Sequence, residues 1–155
     1  MEIGLIASII EIVGYVPYTY SILKQKTVPS KVSWGIWTLL HALILVSYYA
    51  VGARATLWIN IANLLRGLTI FLLALKYGEG GTSSFDKKCL LGAFLGILIW
   101  IAFNSAAIAL YAFLAVDIIA YLPTMRKMYY NPENEDKRAF VIFFIADTLN
   151  LLAID

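Results

Sequence analysis

Cysteine and histidine are almost absent from this chain of 155 residues. It contains one cysteine, Cys89, and one histidine, His41. A single cysteine cannot form an internal disulfide, and one cysteine with one histidine cannot assemble a zinc site. The sequence also lacks the motifs of serine hydrolases, P-loop kinases and zinc proteases. It therefore predicts no metal, no cofactor and no enzymatic activity.

Charge is scarce as well. Charged residues make up 14% of the chain and hydrophobic residues 61%, whereas soluble domains are roughly 25% charged. This composition excludes an ordinary soluble domain. Ten of the 12 Lys and Arg residues lie in three short stretches between long apolar runs. Because these basic residues flank apolar runs, we expect a lipid bilayer as the partner and no nucleic acid.

Six apolar segments have the length of a membrane span, which needs about 20 residues, or somewhat fewer with aromatic and basic anchors. They cover about 3–23, 33–51, 55–77, 88–103, 106–128 and 138–154. The sequence therefore predicts an all-α fold, a polytopic membrane helical bundle.

The distribution of Lys and Arg predicts how these segments are oriented. Ten basic residues fall in, or at the segment ends beside, the connections after the first, third and fifth segments, which the positive-inside rule places in the cytoplasm. The N-terminus then lies outside. We expect most tryptophans, with Trp34 and Trp37 near the cytoplasmic surface, to be interface anchors. The acidic run 133–136 is expected to be a solvated turn.

An internal repeat organises the segments. A shift of 106 residues aligns EIVGYVPYTY (11–20) with DIIAYLPTMR (117–126) and continues without a gap through the next helix. The period contains four spans, and an even number of spans gives both copies the same orientation. The predicted units are a first triple-helix repeat at 1–77, a loop and linker helix at 78–105, and a second repeat at 106–155. The second repeat contains only its first two helices, so the last helix of a 3+1+3 plan is missing.

Two stretches carry a resemblance to a known family. They are GYVPYTYSILKQKTVPSKVSWGIW (14–37) and DIIAYLPTMRK (117–127). The chain resembles the PQ-loop and SWEET transporter superfamily, in particular its small bacterial members. It departs from the family's Pro-Gln dipeptide, because Pro17 is followed by Tyr18 and Pro123 by Thr124. The resemblance implies transport of a small solute across the bacterial inner membrane.

Four polar residues are predicted near the middle of the bilayer. Counting about 1.5 Å per residue from the outer surface places Glu11, Asn63, Arg66 and Asp117 at similar depth. Charges at that depth should face the bundle interior or a wet cavity. Glu11, Arg66 and Asp117 could therefore border a solute site, with one carboxylate taking up a proton. The alternative is a buried ion pair between Glu11 and Arg66 that joins two helices.

Two asparagines share one face of the third segment. Asn60 and Asn63 are three residues apart, so both could hydrogen-bond the hydroxyls of a solute, or alternatively a neighbouring helix. The SWEET resemblance implies that Asn63 and Tyr48 border a sugar. His41 is expected to be a packing partner rather than a proton relay.

Pro17 and Pro123 occupy matching positions in the two copies. Each removes a helical hydrogen bond and bends its span. The repetition favours a pair of hinges over static kinks.

Together these features predict a carrier that moves a small polar metabolite, sugar or amino-acid-like, by alternating access. Facilitated uniport and proton coupling both remain open, as does a homo-oligomer. The alternative is a non-transporting receptor or assembly factor. The KDEL receptor is an example of a receptor on a similar scaffold.

Overall fold

The computed structural model describes residues 2–50, 52, 57–103 and 106–152, and over these ranges the chain is helical except for short connections. Each helix begins and ends within four residues of a predicted apolar segment, so the all-α prediction is confirmed. The six α-helices of the described ranges are α1 Glu2–Leu23, α2 Lys31–Ala50, α3 Leu57–Tyr77, α4 Ser84–Ala102, α5 Ala106–Tyr130 and α6 Lys137–Leu152, with a 3-10 turn at Pro132–Asn134.

Apolar side chains cover the outside of the helices as well as the inside. In α4, Cys89, Ala93 and Ile97 recur every four residues and face the core, while Leu91 and Phe94 on the other faces are exposed. Exposed large apolar side chains occur on all six helices. Judged over the described residues, none of the helices combines the length with the apolarity that crossing a membrane requires.

Three connections, 24–30, 78–83 and 131–136, meet at one end of the bundle, which we call the loop end. The Val28 amide donates to the Asn134 carbonyl at 3.0 Å, and the Glu79 amide donates to the Pro29 carbonyl at 3.1 Å. The Lys31 amide also donates to the Glu79 carbonyl, at 2.9 Å. Helices α1, α3 and α5 therefore end at the loop end, and α2, α4 and α6 begin there.

The helices cross in two matching pairs. Helix α1 packs on α6, and α2 packs on α5. The 106-residue shift converts one pair into the other, because it relates α1 to α5 and α2 to α6. At the first crossing a Cβ on Gly14 would lie 2.7 Å from Ile142 Cγ2, so only glycine fits this close approach. Ala120 and Ile36, the counterparts of these two residues, share a core cluster at the second crossing.

Two apolar clusters form the core. One joins α2, α4 and α5, and the other joins α1, α2, α3 and α6. Trp37 packs against both clusters and so lies at their junction. Helix α3 covers α2, and α4 covers α5.

Candidate solute site

A cavity of about 570 Å³ lies between α2, α3, α5 and α6, and we call it the central cavity. Most of its wall is aromatic, and polar groups reach it from α2, α3 and α5. Its lining consists of Trp34, Trp37, His41, Asn63, Arg66, Phe113, Asp117, Tyr121, Phe140, Phe143 and Phe144. A volume of this size is typical of small-molecule sites.

Asp117 is the acidic group of the cavity wall. The Trp37 indole nitrogen donates a hydrogen bond to Asp117 Oδ1 at 3.0 Å. Tyr121, one turn further along α5, stacks edge-on against Trp37 with ring centroids 4.8 Å apart. Positions four residues apart share one face of a helix. Trp37 of α2 therefore orients the Asp117 carboxylate, and Tyr121 of α5 holds the Trp37 indole in place.

Arg66 and Asn63 supply the opposite polar wall. They are three residues apart on α3, so they share the face that lines the cavity. Gly67 lets α3 approach α2 closely, because a Cβ there would lie 3.3 Å from Thr38 Oγ1 and 3.6 Å from His41 Cδ2. A guanidinium, an amide and a carboxylate thus line one volume, where they could bind donors and acceptors of a polar solute.

The predicted site residues fall into two groups. Asn63, Arg66 and Asp117 line the central cavity together. The side chains of Glu11, Tyr48 and Asn60 lie outside the described part of the structure. Their roles, and the predicted pair between Glu11 and Arg66, stay predictions.

The two prolines do not line the central cavity. Pro17 is exposed on α1, and Pro123 is buried in α5, where it borders a depression at the loop end. Both helices continue for at least six residues past their proline. The hinge role of this pair stays a prediction.

Sequence reasoning missed the aromatic wall. Trp34 is only 5% exposed and Trp37 faces the cavity, so the expectation that they anchor the chain at an interface was wrong for both. The repeat contained a usable signal, since the 106-residue shift pairs Trp34 with Phe140 and Trp37 with Phe143. Aromatic rings at matching positions of two copies indicate one shared wall.

A buried polar cluster lies between the cavity and the loop end. The Tyr18 hydroxyl donates to Glu135 Oε1 at 2.7 Å, and the Trp34 indole donates to the Tyr18 hydroxyl at 3.3 Å. Lys127 forms an ion pair with Glu135 Oε2. It also donates to the Val28 carbonyl. We call Tyr18, Trp34, Lys127 and Glu135 the loop-end cluster.

Two members of this cluster correct the sequence analysis. Glu135 belongs to the acidic run that was expected to be a solvated turn, yet it is only 6% exposed. Lys127 was interpreted as part of a basic flank, yet it is only 8% exposed. The sequence around each residue does not indicate burial. The Tyr18 hydroxyl and the Val28 carbonyl, which hydrogen-bond them, come from α1 and from the connection after α1.

The environment of Glu135 shifts its protonation. Burial raises the pKa of its carboxyl group above the ordinary value of 4.5, and this effect exceeds the opposing influence of the Lys127 ammonium group and the Tyr18 hydroxyl. Desolvation therefore outweighs pairing at this carboxyl group.

The chain matches no family model, no curated protein and no solved structure.

Proposed function

We propose that the protein is a membrane carrier that moves a small polar solute by alternating access around the central cavity. The observation that carries this proposal is the composition of the cavity wall. Arg66 and Asn63 come from the first predicted repeat and Asp117 from the second, and all three border one volume of about 570 Å³. A solute bound between them would contact both halves of the bundle.

The helix crossings support this proposal. The first helix of each copy packs on the second helix of the other copy. Equivalent helices of the two copies thus hold each other, and a movement of one copy against the other would change both contacts. Many carriers built from repeats rock in this way around a central site.

The surface supports membrane insertion as part of the proposal. Large apolar side chains are exposed on each helix, with Val141 57% exposed on α6 and Tyr111 71% exposed on α5. Exposed apolar surface on this scale indicates an apolar surrounding or a partner surface. Lipid also fits the low charge content of the chain.

Reconstitution into liposomes tests the proposal. Membranes that express the chain are first washed at alkaline pH, and an inserted protein stays in the pellet. The purified protein is then assayed for counterflow with radiolabelled glucose and with a mixture of radiolabelled amino acids. We expect counterflow of one probe and its loss in Arg66→Gln and Asp117→Asn. Release of the protein by the wash, or binding of a probe without counterflow, would contradict the carrier, and the second result would favour the receptor alternative.

A further inference from the structure

The loop-end cluster joins the two predicted repeats. Lys127 on α5 donates to the carbonyl of Val28, which follows α1. Glu135, in the connection before α6, accepts a hydrogen bond from Tyr18 on α1. Each member of the ion pair thus contacts the other copy. The ion pair itself lies within the second copy, so a separation of the two copies at the loop end breaks the bonds to Val28 and Tyr18.

The same cluster lies between the central cavity and the surface. Trp34 borders the cavity on one side. On the other side Lys127 borders a surface depression of about 300 Å³, and Glu135 borders a second one of about 350 Å³. The hydrogen-bonded side chains of this cluster therefore lie between the cavity and two depressions that face the loop end.

The polar character of this layer suits a contact that opens and closes. A buried ion pair is no better for static stability than apolar residues of the same shape, whereas removal of one partner leaves an uncompensated charge. When such a layer separates, water can hydrate the ammonium, carboxylate and hydroxyl groups. If these side chains were apolar, each opening would expose hydrocarbon to water, which is unfavourable.

Charged groups surround Glu135 from several elements. Tyr18 comes from α1 and Lys127 from α5. The outer depression that Glu135 borders is also lined by Lys26, Glu133, Asp136, Lys137 and Arg138. Three of these five are basic, so the carboxylate would find cationic neighbours on the surface side once its bond from Tyr18 breaks.

From this arrangement we infer that the loop-end cluster is the gate by which the central cavity opens toward the loop end. The hydrogen bonds of Lys127 to the Val28 carbonyl and of Tyr18 to Glu135 separate at each opening, while the ion pair keeps the two charges of the second copy together. This inference rests on the proposed carrier function and assigns to it a gate that lies apart from the solute-binding residues.

The lone cysteine provides a reporter for this opening. Cys89 is 5% exposed and belongs to the core cluster that includes Val32 of α2 and Ala120 of α5. Separation of α2 from α5 at the loop end would expose its thiol. The rate of maleimide alkylation of Cys89, in the full chain reconstituted in lipid, therefore measures how often this end opens.

The test compares buried and exposed charges of the same connection. Glu135→Gln and Lys127→Met should raise the alkylation rate about tenfold or more, because each leaves its former partner buried without a counter-charge. Glu133→Gln removes an exposed charge of the same connection and should leave the rate unchanged. Tyr18→Phe removes only the hydroxyl and should raise the rate by about threefold.

The outcomes separate the gate from the carrier. Unchanged alkylation in Glu135→Gln and Tyr18→Phe, in a protein that still shows counterflow, would refute the gate and leave the carrier standing. Faster alkylation in both variants, without counterflow by the wild type, would support the gate and refute the carrier. Tyr18→Phe keeps the ring in place, so its alkylation rate reports the lost hydrogen bond and not a general loss of folding.

Discussion

The two helix crossings beside the central cavity have equivalent positions but different chemistry. At the crossing of α1 with α6, the fully buried ring of Tyr18 packs edge-on against Phe140 and Phe143, with centroids 5.9 Å away in both cases. At the crossing of α2 with α5, the counterpart of Tyr18 is Thr124, whose hydroxyl donates to Ser33 Oγ at 2.9 Å. The first crossing uses a large ring, and the second uses two small hydroxyls.

This difference shows how one backbone arrangement can hold two kinds of contact. The small pair brings α2 and α5 together directly, and the Thr124 amide also donates to Ser33 Oγ at 3.2 Å. The large ring instead carries a hydroxyl outward to Glu135. Substitution of each residue by its counterpart in the other copy tests how far the two crossings are interchangeable.

Tyr18→Thr places the residue of the second crossing into the first and should have the largest effect. It removes a buried ring and the donor to Glu135, so we expect the free energy of unfolding to fall by about 3–5 kcal/mol. Denaturant titration in detergent micelles measures this change. Tyr20→Thr is the control, since Tyr20 is 61% exposed and should change stability by less than about 0.5 kcal/mol. Equal losses in both variants would show that Tyr18 has no special role.

Trp37→Phe gives α2 the residue that stands at the matching position of α6, Phe143. The ring stays, but the hydrogen bond to Asp117 is lost. Hydrogen bonds to charged groups contribute about 1.5–3 kcal/mol, so counterflow of the transported probe should slow by roughly tenfold or more. Trp100→Phe, on α4 and outside the cavity lining, should leave the rate unchanged. A similar slowing in both variants would argue against orientation of Asp117 by Trp37.

Ser33→Ala introduces the residue found at the matching position of α6, Ala139. Ser33 Oγ accepts two hydrogen bonds from Thr124, and their loss should reduce the free energy of unfolding by about 1 kcal/mol. A double-mutant cycle with Thr124→Val measures the coupling between the two side chains. Strictly additive losses would mean that the hydroxyls do not stabilise this crossing together.

The smallest expected effect is the pH dependence that Glu135 adds to the first crossing. Burial raises its pKa above 4.5, so the folded protein binds the proton more readily than the unfolded chain does. The resulting stabilisation is complete below the unfolded-state pKa and is lost as pH rises through the folded-state pKa. The stability of the wild type relative to Glu135→Gln should therefore fall as the solution is made less acidic. If the stability of the wild type relative to Glu135→Gln instead rises with pH, the pKa of Glu135 is not raised in the folded protein.

Much of the fold could be predicted because apolar length and turn composition are local properties. The six helices follow the apolar segments, and the connections follow polar runs such as KQKTVPSK (24–31). Estimated depth along each helix also grouped Asn63, Arg66 and Asp117, which line one cavity. Each of these inferences needs only the position of a residue within its own helix.

The remaining features depend on which helices meet, and no local pattern contains that information. Glu135 and Lys127 pair with each other, and they also bond Tyr18 and the Val28 carbonyl, which lie more than 95 positions earlier in the chain. Trp34 and Trp37 were assigned to an interface because tryptophan is common there. Trp34 instead contacts Tyr18 of α1, and Trp37 contacts Tyr121 of α5, and a single-helix argument considers neither partner.

The hydrogen bonds among the connections also determine where foreign sequence can be added. The backbone of segment 27–30 is hydrogen-bonded to both other connections, so an insertion there would break the hydrogen bonds that join the three connections. Gly81 and Thr82 differ, because a Cβ on Gly81 would meet no atom within 4 Å and Thr82 is exposed. A fluorescent reporter domain placed between Gly81 and Thr82 should leave the protein folded, whereas the same domain placed after Val28 should not.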